Sequence, residues 1–251
     1  MIDNLRKIKL MKSFHKDEKK FCEKCDHTGR IFFIDKDSEI SQKNCECHIK
    51  FLNNEFYKKR IVLGRIPTIA IDFEVSNYMN TGSSDTEKLI NSKSIDEIRK
   101  ISEDIPQFVK DARNLILLGP SGTGKTIISC FIAKKIIQSG MNAAYIDFPS
   151  FFIIAQKFDQ DEIEKDWIDY VNWCQFLIID SVDRIAQREL GKIYVLDSLL
   201  RNRIQSKKNT CLISSTPVEE LESRVGFSCS SLIKERTKIL PFLGNDFRKI
   251  K

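Results

Sequence analysis

No apolar run in the 251 residues approaches the length of a membrane span. The opening stretch "MIDNLRKIKLMKSFHKDEKKF" is mixed and charged, and lacks the continuous apolar segment of a secretory signal. Internal repeats and extended low-complexity tracts are missing as well. These absences argue against membrane, secreted and repeat proteins; the expectation is a soluble cytoplasmic chain without a membrane partner. In a reducing compartment the eight cysteines do not read as a disulfide framework. Neither sign of charge dominates: the net charge is +6, and +5 of it falls in the first 60 residues. That balance favours an anionic partner only weakly, and it describes a solvated lysine-rich surface equally well.

What is present suffices for a full core and a second small module, since 41 % of the residues are hydrophobic. Residues 1–60 hold four clustered cysteines and basic flanks; residues 61–110 read as a linker and a leading helix. Residues 111–251 alternate short apolar strands with helical patterns, the mark of an α/β fold with a parallel sheet. Strands are expected at 114–119, 142–147, 175–180, 210–215 and 237–243, with helices near 125–138, 149–158, 188–206 and 218–224. In the linker, "SNYMNTGSSDTEK" reads as loop, and "SIDEIRKISEDI" as a helix capped by Ser94 with Ile95, Ile98, Ile101 and Ile105 on one face.

The most informative segment is "LILLGPSGTGKT": a strand, then Gly119, Pro120, Ser121, Gly122, Thr123, Gly124, Lys125 and Thr126, then a helical pattern. Glycines at this spacing let successive backbone N–H groups face one anion, and the following helix N-terminus adds partial positive charge. Lys125 is placed to reach the β- and γ-phosphates of a nucleoside triphosphate, and the Thr126 hydroxyl to ligate Mg²⁺. "FLIID" ends in Asp180 after four apolar residues, the carboxylate expected beside that Mg²⁺ at a neighbouring strand tip. Ser181 follows where many P-loop ATPases carry the acid that orients water. A serine is no base at neutral pH, which leaves Asp183 as the candidate. ATP binding is therefore better supported than fast hydrolysis.

The second constellation is Cys22-x2-Cys25 and Cys45-x-Cys47, with nineteen residues between the pairs. Four thiolates suit tetrahedral Zn²⁺ in a structural role, and "IFFID" between the pairs reads as a strand. The C-x-C half is less usual, so His27 or His48 remains an alternative ligand. Zinc on four thiolates carries −2, which weakens the electrostatic case for nucleic acid in this region. Cys130, Cys174, Cys211 and Cys229 are scattered, and Cys130 and Cys211 fall in apolar interiors as small core residues.

Taken in order, "GPSGTGKT", "FLIID", "TCLISSTPVEEL" and "LPFLGNDFRK" resemble the DnaC/DnaI-type replicative-helicase loaders and the related IstB-type transposition ATPases of the AAA+ group. The cysteine pattern also resembles that of DnaC-like proteins. The resemblance covers roughly residues 61–251. It implies a five-stranded parallel sheet of order 5-1-4-3-2 behind a small zinc-binding domain. It implies ATP, Mg²⁺ and Zn²⁺ as cofactors, a replicative helicase gripped by the N-terminal domain, single-stranded DNA, and a homo-oligomer as a further possibility. It puts Ser215 in a sensor column usually held by asparagine, and Arg248, in Gly-x-Asp-x-Arg, in the column of the family's C-terminal arginine. The column of the arginine finger falls near Ser231 and Leu232, leaving Arg224 or Arg236 to serve. Phe151, Phe152 and Lys157 lie where loaders contact DNA, although paired phenylalanines on a helix more often face the core. The implied activity is ATP-dependent helicase loading with slow hydrolysis; a transposition helper and a nucleotide-gated adaptor are the alternatives.

Overall fold

The computed structural model describes residues 22–34, 40–156, 162–186, 189–234 and 236–249. The chain divides between Lys59 and Arg60 into two compact units.

In the first unit, β1 (Arg30–Ile34) and β2 (Ile40–Asn44) form an antiparallel pair with Arg30 opposite Asn44 and Ile34 opposite Ile40. The "RIFFI" run suits a half-buried strand, because branched and aromatic side chains pack well on a pleat; Phe32 is its buried member. Helix α1 (Glu46–Leu63) follows.

The second unit is built on a five-stranded sheet. Its strands are β3 (Asn114–Leu118), β4 (Ala143–Asp147), β5 (Phe176–Asp180), β6 (Asn209–Ser214) and β7 (Thr237–Pro241). All neighbours pair in parallel, in the spatial order β4-β5-β6-β3-β7. Numbered within this domain, that is the expected 5-1-4-3-2. Central strands of such a sheet are covered on both faces, which is why they read as unbroken apolar runs. Every residue of β6 is buried.

The crossover helices are α4 (Lys125–Gln138), α5 (Phe148–Ala155), α6 (Glu162–Trp173), α7 (Leu190–Gln205) and α8 (Val218–Lys234). They are preceded by α2 (Asp85–Glu103) and α3 (Ile105–Lys110). One core cluster includes Ile146, Phe148, Trp167, Ile179, Leu196 and Leu212, and so joins three strands to three helices.

Several expectations need correction. Ser94 is not an N-cap. The helix starts nearly three turns earlier, where the Ser84 side chain accepts from Glu87 N–H. Ser94 is buried in mid-helix and donates to the Pro241 carbonyl at 2.8 Å. Ile105 belongs to the next helix, because Asp104 ends α2 and caps α3 by accepting from Gln107 N–H. Helix α8 runs ten residues beyond the expected 224, and α6 was not expected at all. Phe151 is core, as paired phenylalanines on a helix usually are, and the Phe152 ring lies against Gly191. Lys157 lies outside the described residues.

One polar feature ties the layers together. Arg203 of α7 is fully buried and donates to the carbonyls of Val171, Cys174, Gln175 and Asn209 and to the Thr210 hydroxyl. A guanidinium's rigid fork is suited to reading so many acceptors at once.

Candidate nucleotide site and cysteine cluster

The loop between β3 and α4 owes its path to close backbone approaches. Gly119 has φ 140, and a Cβ there would sit 1.8 Å from the Phe242 carbonyl oxygen. Gly122 has φ 81, and a Cβ there would strike the Asp246 carboxylate at 1.9 Å. Gly119 is therefore required for space as well as for backbone conformation, because its neighbour is main chain, while at Gly122 the left-handed backbone is the firmer requirement. Phe247 N–H donates to the Gly122 carbonyl at 2.9 Å, so the C-terminal segment is pinned onto the loop.

Lys125 starts α4 and is buried, with Nζ on the carbonyls of Gly119 (2.5 Å) and Pro120 (2.7 Å). Burial lowers its pKa, while the charges of Asp180 and Asp183 act to raise it. The Thr126 hydroxyl donates to Asp180 Oδ2 at 2.7 Å across the gap between α4 and the β5 tip. Tyr145 OH donates to the same oxygen at 3.1 Å, and burial together with that carboxylate pushes the phenol pKa up. Asp180 Oδ1 accepts from Ser181 N–H at 2.7 Å, and Ser181 turns the chain with φ 62.

A cavity of about 610 Å³ opens over these groups. Ser121, Gly122, Gly124, Lys125 and Thr126 line it from the loop, and Asp180, Asp183, Ser215 and Arg248 from elsewhere. Gly119, Pro120 and Thr123 do not line it. Thr123 is fully buried and donates to the Pro120 carbonyl, so its work is to shape the loop. Of the hydroxyls ending β6, Ser214 belongs to the turn, bonding Thr216, while Ser215 faces the cavity and donates to Asp183.

Arg248 is held in a fork by Asp246, with Nε at 2.8 Å and Nη2 at 2.7 Å from the two carboxylate oxygens. That pairing draws the Asp246 carboxyl down to about 2. Arg224 donates to the Asp183 carbonyl at 2.7 Å and pairs with Glu220, so it braces its own chain's site. Arg236 sits before β7, at the amino end of the sheet, with its carbonyl accepting from Asn114 N–H. Ser231 and Leu232 fall on the last turns of α8.

The opposite wall of the cavity comes from the segment read as linker. Ile69, Phe73, Asn77, Tyr78 and Met79 line it. Ile69 and Met79 are 77 % and 60 % exposed, an apolar surface suited to the flat face of a base. Tyr78 packs edge-on against Phe242 and Phe247, and burial raises its pKa to about 12. These residues show no helical or strand period, so periodicity gave no sign of them.

In the first unit, the sulfurs of Cys22, Cys25, Cys45 and Cys47 all lie within 4.8 Å of one another. Three of the separations are 3.9 Å (Cys22–Cys25), 3.8 Å (Cys22–Cys45) and 3.6 Å (Cys25–Cys47). Among the described residues neither His27 nor His48 joins the group. The knuckle is local: Asp26 and His27 take left-handed conformations, and Gly29 N–H donates to Cys25 Sγ at 3.3 Å. Hydrogen bonding from Cys47 draws the Cys22 thiol down to about 7, while burial pushes that of Cys47 up to about 12.

Strand order and loop geometry together define a P-loop nucleotide-binding protein of the AAA+ class. The chain belongs to the family of IstB-like ATP binding proteins, whose sequence model matches residues 76–228. No curated protein matches the chain. Among solved structures, the DnaC helicase loader is 15 % identical with a TM-score of 0.59, covering 70 % of this chain and 99 % of that one. DnaI is 15 % identical with a TM-score of 0.53, covering 72 % and 93 %. The replication initiator DnaA bound to AMPPCP and single-stranded DNA is 13 % identical with a TM-score of 0.56, covering 70 % and 50 %. At these identities the likeness is one of fold. Among the described residues, no helix is long and apolar enough to cross a membrane.

Proposed function

We propose that the protein is an ATP-dependent loader that places a replicative helicase on single-stranded DNA. The observation that carries the ATP chemistry is the bond between Thr126 and Asp180 beside Lys125. Two hard oxygen donors 2.7 Å apart fit neighbouring positions around Mg²⁺, whose octahedron has edges of about 3 Å. Bound there, Mg²⁺ neutralises phosphate charge. Lys125 moves from the loop carbonyls to the β- and γ-phosphates, and the loop N–H groups bind the β-phosphate. Arg248 reaches the nucleotide from the C-terminal segment. Asp183, set by Ser215, orients the attacking water.

The four thiols fit Zn²⁺. Sulfurs about 2.3 Å from a central zinc stand about 3.8 Å apart, which matches the separations above. Zinc there has a structural role, holding the unit that grips the helicase. The two-unit layout, and the fold shared with a helicase loader and an initiator bound to single-stranded DNA, support the replication role.

Co-purification with a replicative helicase, with and without ATP, tests this. Absence of binding in both states would sink it, and capture of a transposase with duplex DNA would favour the transposition helper. A second reading, a nucleotide-gated adaptor with little hydrolysis, is favoured by Ser181 at the usual acid's position and by Arg224 being engaged within its own chain.

A further inference from the structure

We propose that Lys134 is a positioning residue for the nucleotide: its ammonium holds residues 71–74 in the shape that builds the base-facing wall of the cavity. The inference rests on the reading of that cavity as an ATP site. Lys134 lies on α4, downstream of the phosphate loop, and is only 3 % exposed. An ammonium that buried requires several acceptors. Its Nζ donates to the carbonyls of Ile71 (3.0 Å) and Phe73, and pairs with Glu74 Oε1 at 2.7 Å. Lys135 reaches the other Glu74 oxygen at 3.5 Å. Two carbonyls and a carboxylate from one short stretch converge on a single cation, which specifies the conformation of that stretch.

The stretch needs such a device. Between α1 and α2 the chain forms only two short 3-10 turns, Thr68–Ala70 and Val75–Asn77. Upstream it is anchored where the Gly64 carbonyl accepts from Tyr145 N–H at 2.8 Å. Downstream, Asn80 Nδ2 donates to the Lys88 carbonyl at 2.8 Å. Between these anchors lie Ile69, Phe73 and Met79, the apolar lining. The Phe73 ring meets Phe131 of α4 edge-on at 6.2 Å, one turn from Lys134. Lys134 and Phe131 thus fasten the base wall to the helix whose first residues are Lys125 and Thr126. The two ends of the nucleotide are measured from one rigid element, so loosening the wall should leave the phosphate end intact.

The test compares dissociation constants of the full chain for MgATP and for magnesium tripolyphosphate, by calorimetry. Lys134→Met keeps the apolar stem and removes the cation. It is expected to weaken MgATP by about ten-fold or more, through lost preorganisation, and tripolyphosphate by less than about two-fold. Glu74→Gln leaves both carbonyl contacts and should weaken MgATP alone by about two- to five-fold; it decides the matter if Lys134→Met does not fold. Unchanged MgATP affinity overturns the proposal, as does equal weakening of both ligands, which marks a merely structural lysine. A wild-type chain that binds neither ligand removes the ATP-site reading itself, whereas wild-type binding with unselective variants sinks only the role of Lys134.

Discussion

Ser215 donates its hydroxyl hydrogen to Asp183 Oδ2 at 2.5 Å, joining the carboxyl end of β6 to the turn that follows β5. The same turn is braced from behind by Arg224 on the Asp183 carbonyl. At the end of β6, then, a small hydroxyl acts on an acid of the chain itself. Asp183 stands two residues beyond Ser181 and lines the cavity, with its position set from two sides. A carboxylate fixed in this way is equipped to hold a water, which Ser181 is not.

That arrangement predicts how hydrolysis divides among the residues. Asp183→Asn should cut ATP turnover by about ten-fold or more while MgATP affinity stays within about two-fold. Ser181→Ala should change turnover by less than about two-fold. Phosphate release from the full chain measures both. A Ser181→Ala loss larger than that of Asp183→Asn would move the water-orienting role away from Asp183.

The Thr126–Asp180 pair predicts the magnesium dependence. In the wild-type chain Mg²⁺ should tighten ATP binding. In Asp180→Ala that gain should vanish, leaving an affinity close to that of the magnesium-free wild type, and turnover should fall to background. Calorimetric titration with and without Mg²⁺ reads the difference. Persistence of the full magnesium effect in Asp180→Ala would remove Asp180 from the metal site.

The legible parts of this protein are those whose chemistry is local in sequence. The phosphate loop needs glycines at fixed offsets, the β5 tip needs an apolar run ending in Asp180, and the thiol cluster needs paired cysteines. Each appears as a short string. The apolar wall of the cavity does not, because Ile69, Phe73 and Met79 sit in irregular chain, where the carbonyls of Ile71 and Phe73 are bonded by Lys134, some sixty residues away. In sequence, Lys134 and Lys135 look like the solvated face of a helix. Ser94 misled for a related reason: a serine before an apolar pattern reads as a cap, whereas the real cap, Ser84, stands before a polar first turn. Arg203 gave no sign of burial either, since four of its acceptors are backbone carbonyls, which carry no side-chain signature.

Arg203 carries a stability prediction. Arg203→Ala removes the guanidinium donor from four carbonyls and the Thr210 hydroxyl, and should destabilise the second unit by about 3–5 kcal/mol. Arg203→Lys should recover less than half of this, because three donors on a flexible stem cannot span acceptors spread from Val171 to Thr210. Chemical denaturation, followed by a probe in the second unit, measures both. A loss under about 1 kcal/mol for Arg203→Ala would show that water replaces the guanidinium.

The cysteine cluster predicts a first unit that depends on zinc and a second unit that does not. The described part of the first unit has two five-residue strands, one of them with no buried residue. Its buried apolar side chains are few, and a structural metal would supply the missing stabilisation, with binding free energies on the order of 10 kcal/mol in small zinc modules. The purified chain should carry one equivalent of zinc by elemental analysis. Cys25→Ser, at a fully buried ligand position, should abolish it and make the first unit sensitive to proteolysis. ATP affinity should stay within about two-fold, because every cavity-lining residue belongs to the second unit. Helicase capture should be lost with the metal. Full zinc retention in Cys25→Ser would exclude the four-thiolate site, while loss of zinc with helicase binding unchanged would detach the first unit from the loading role.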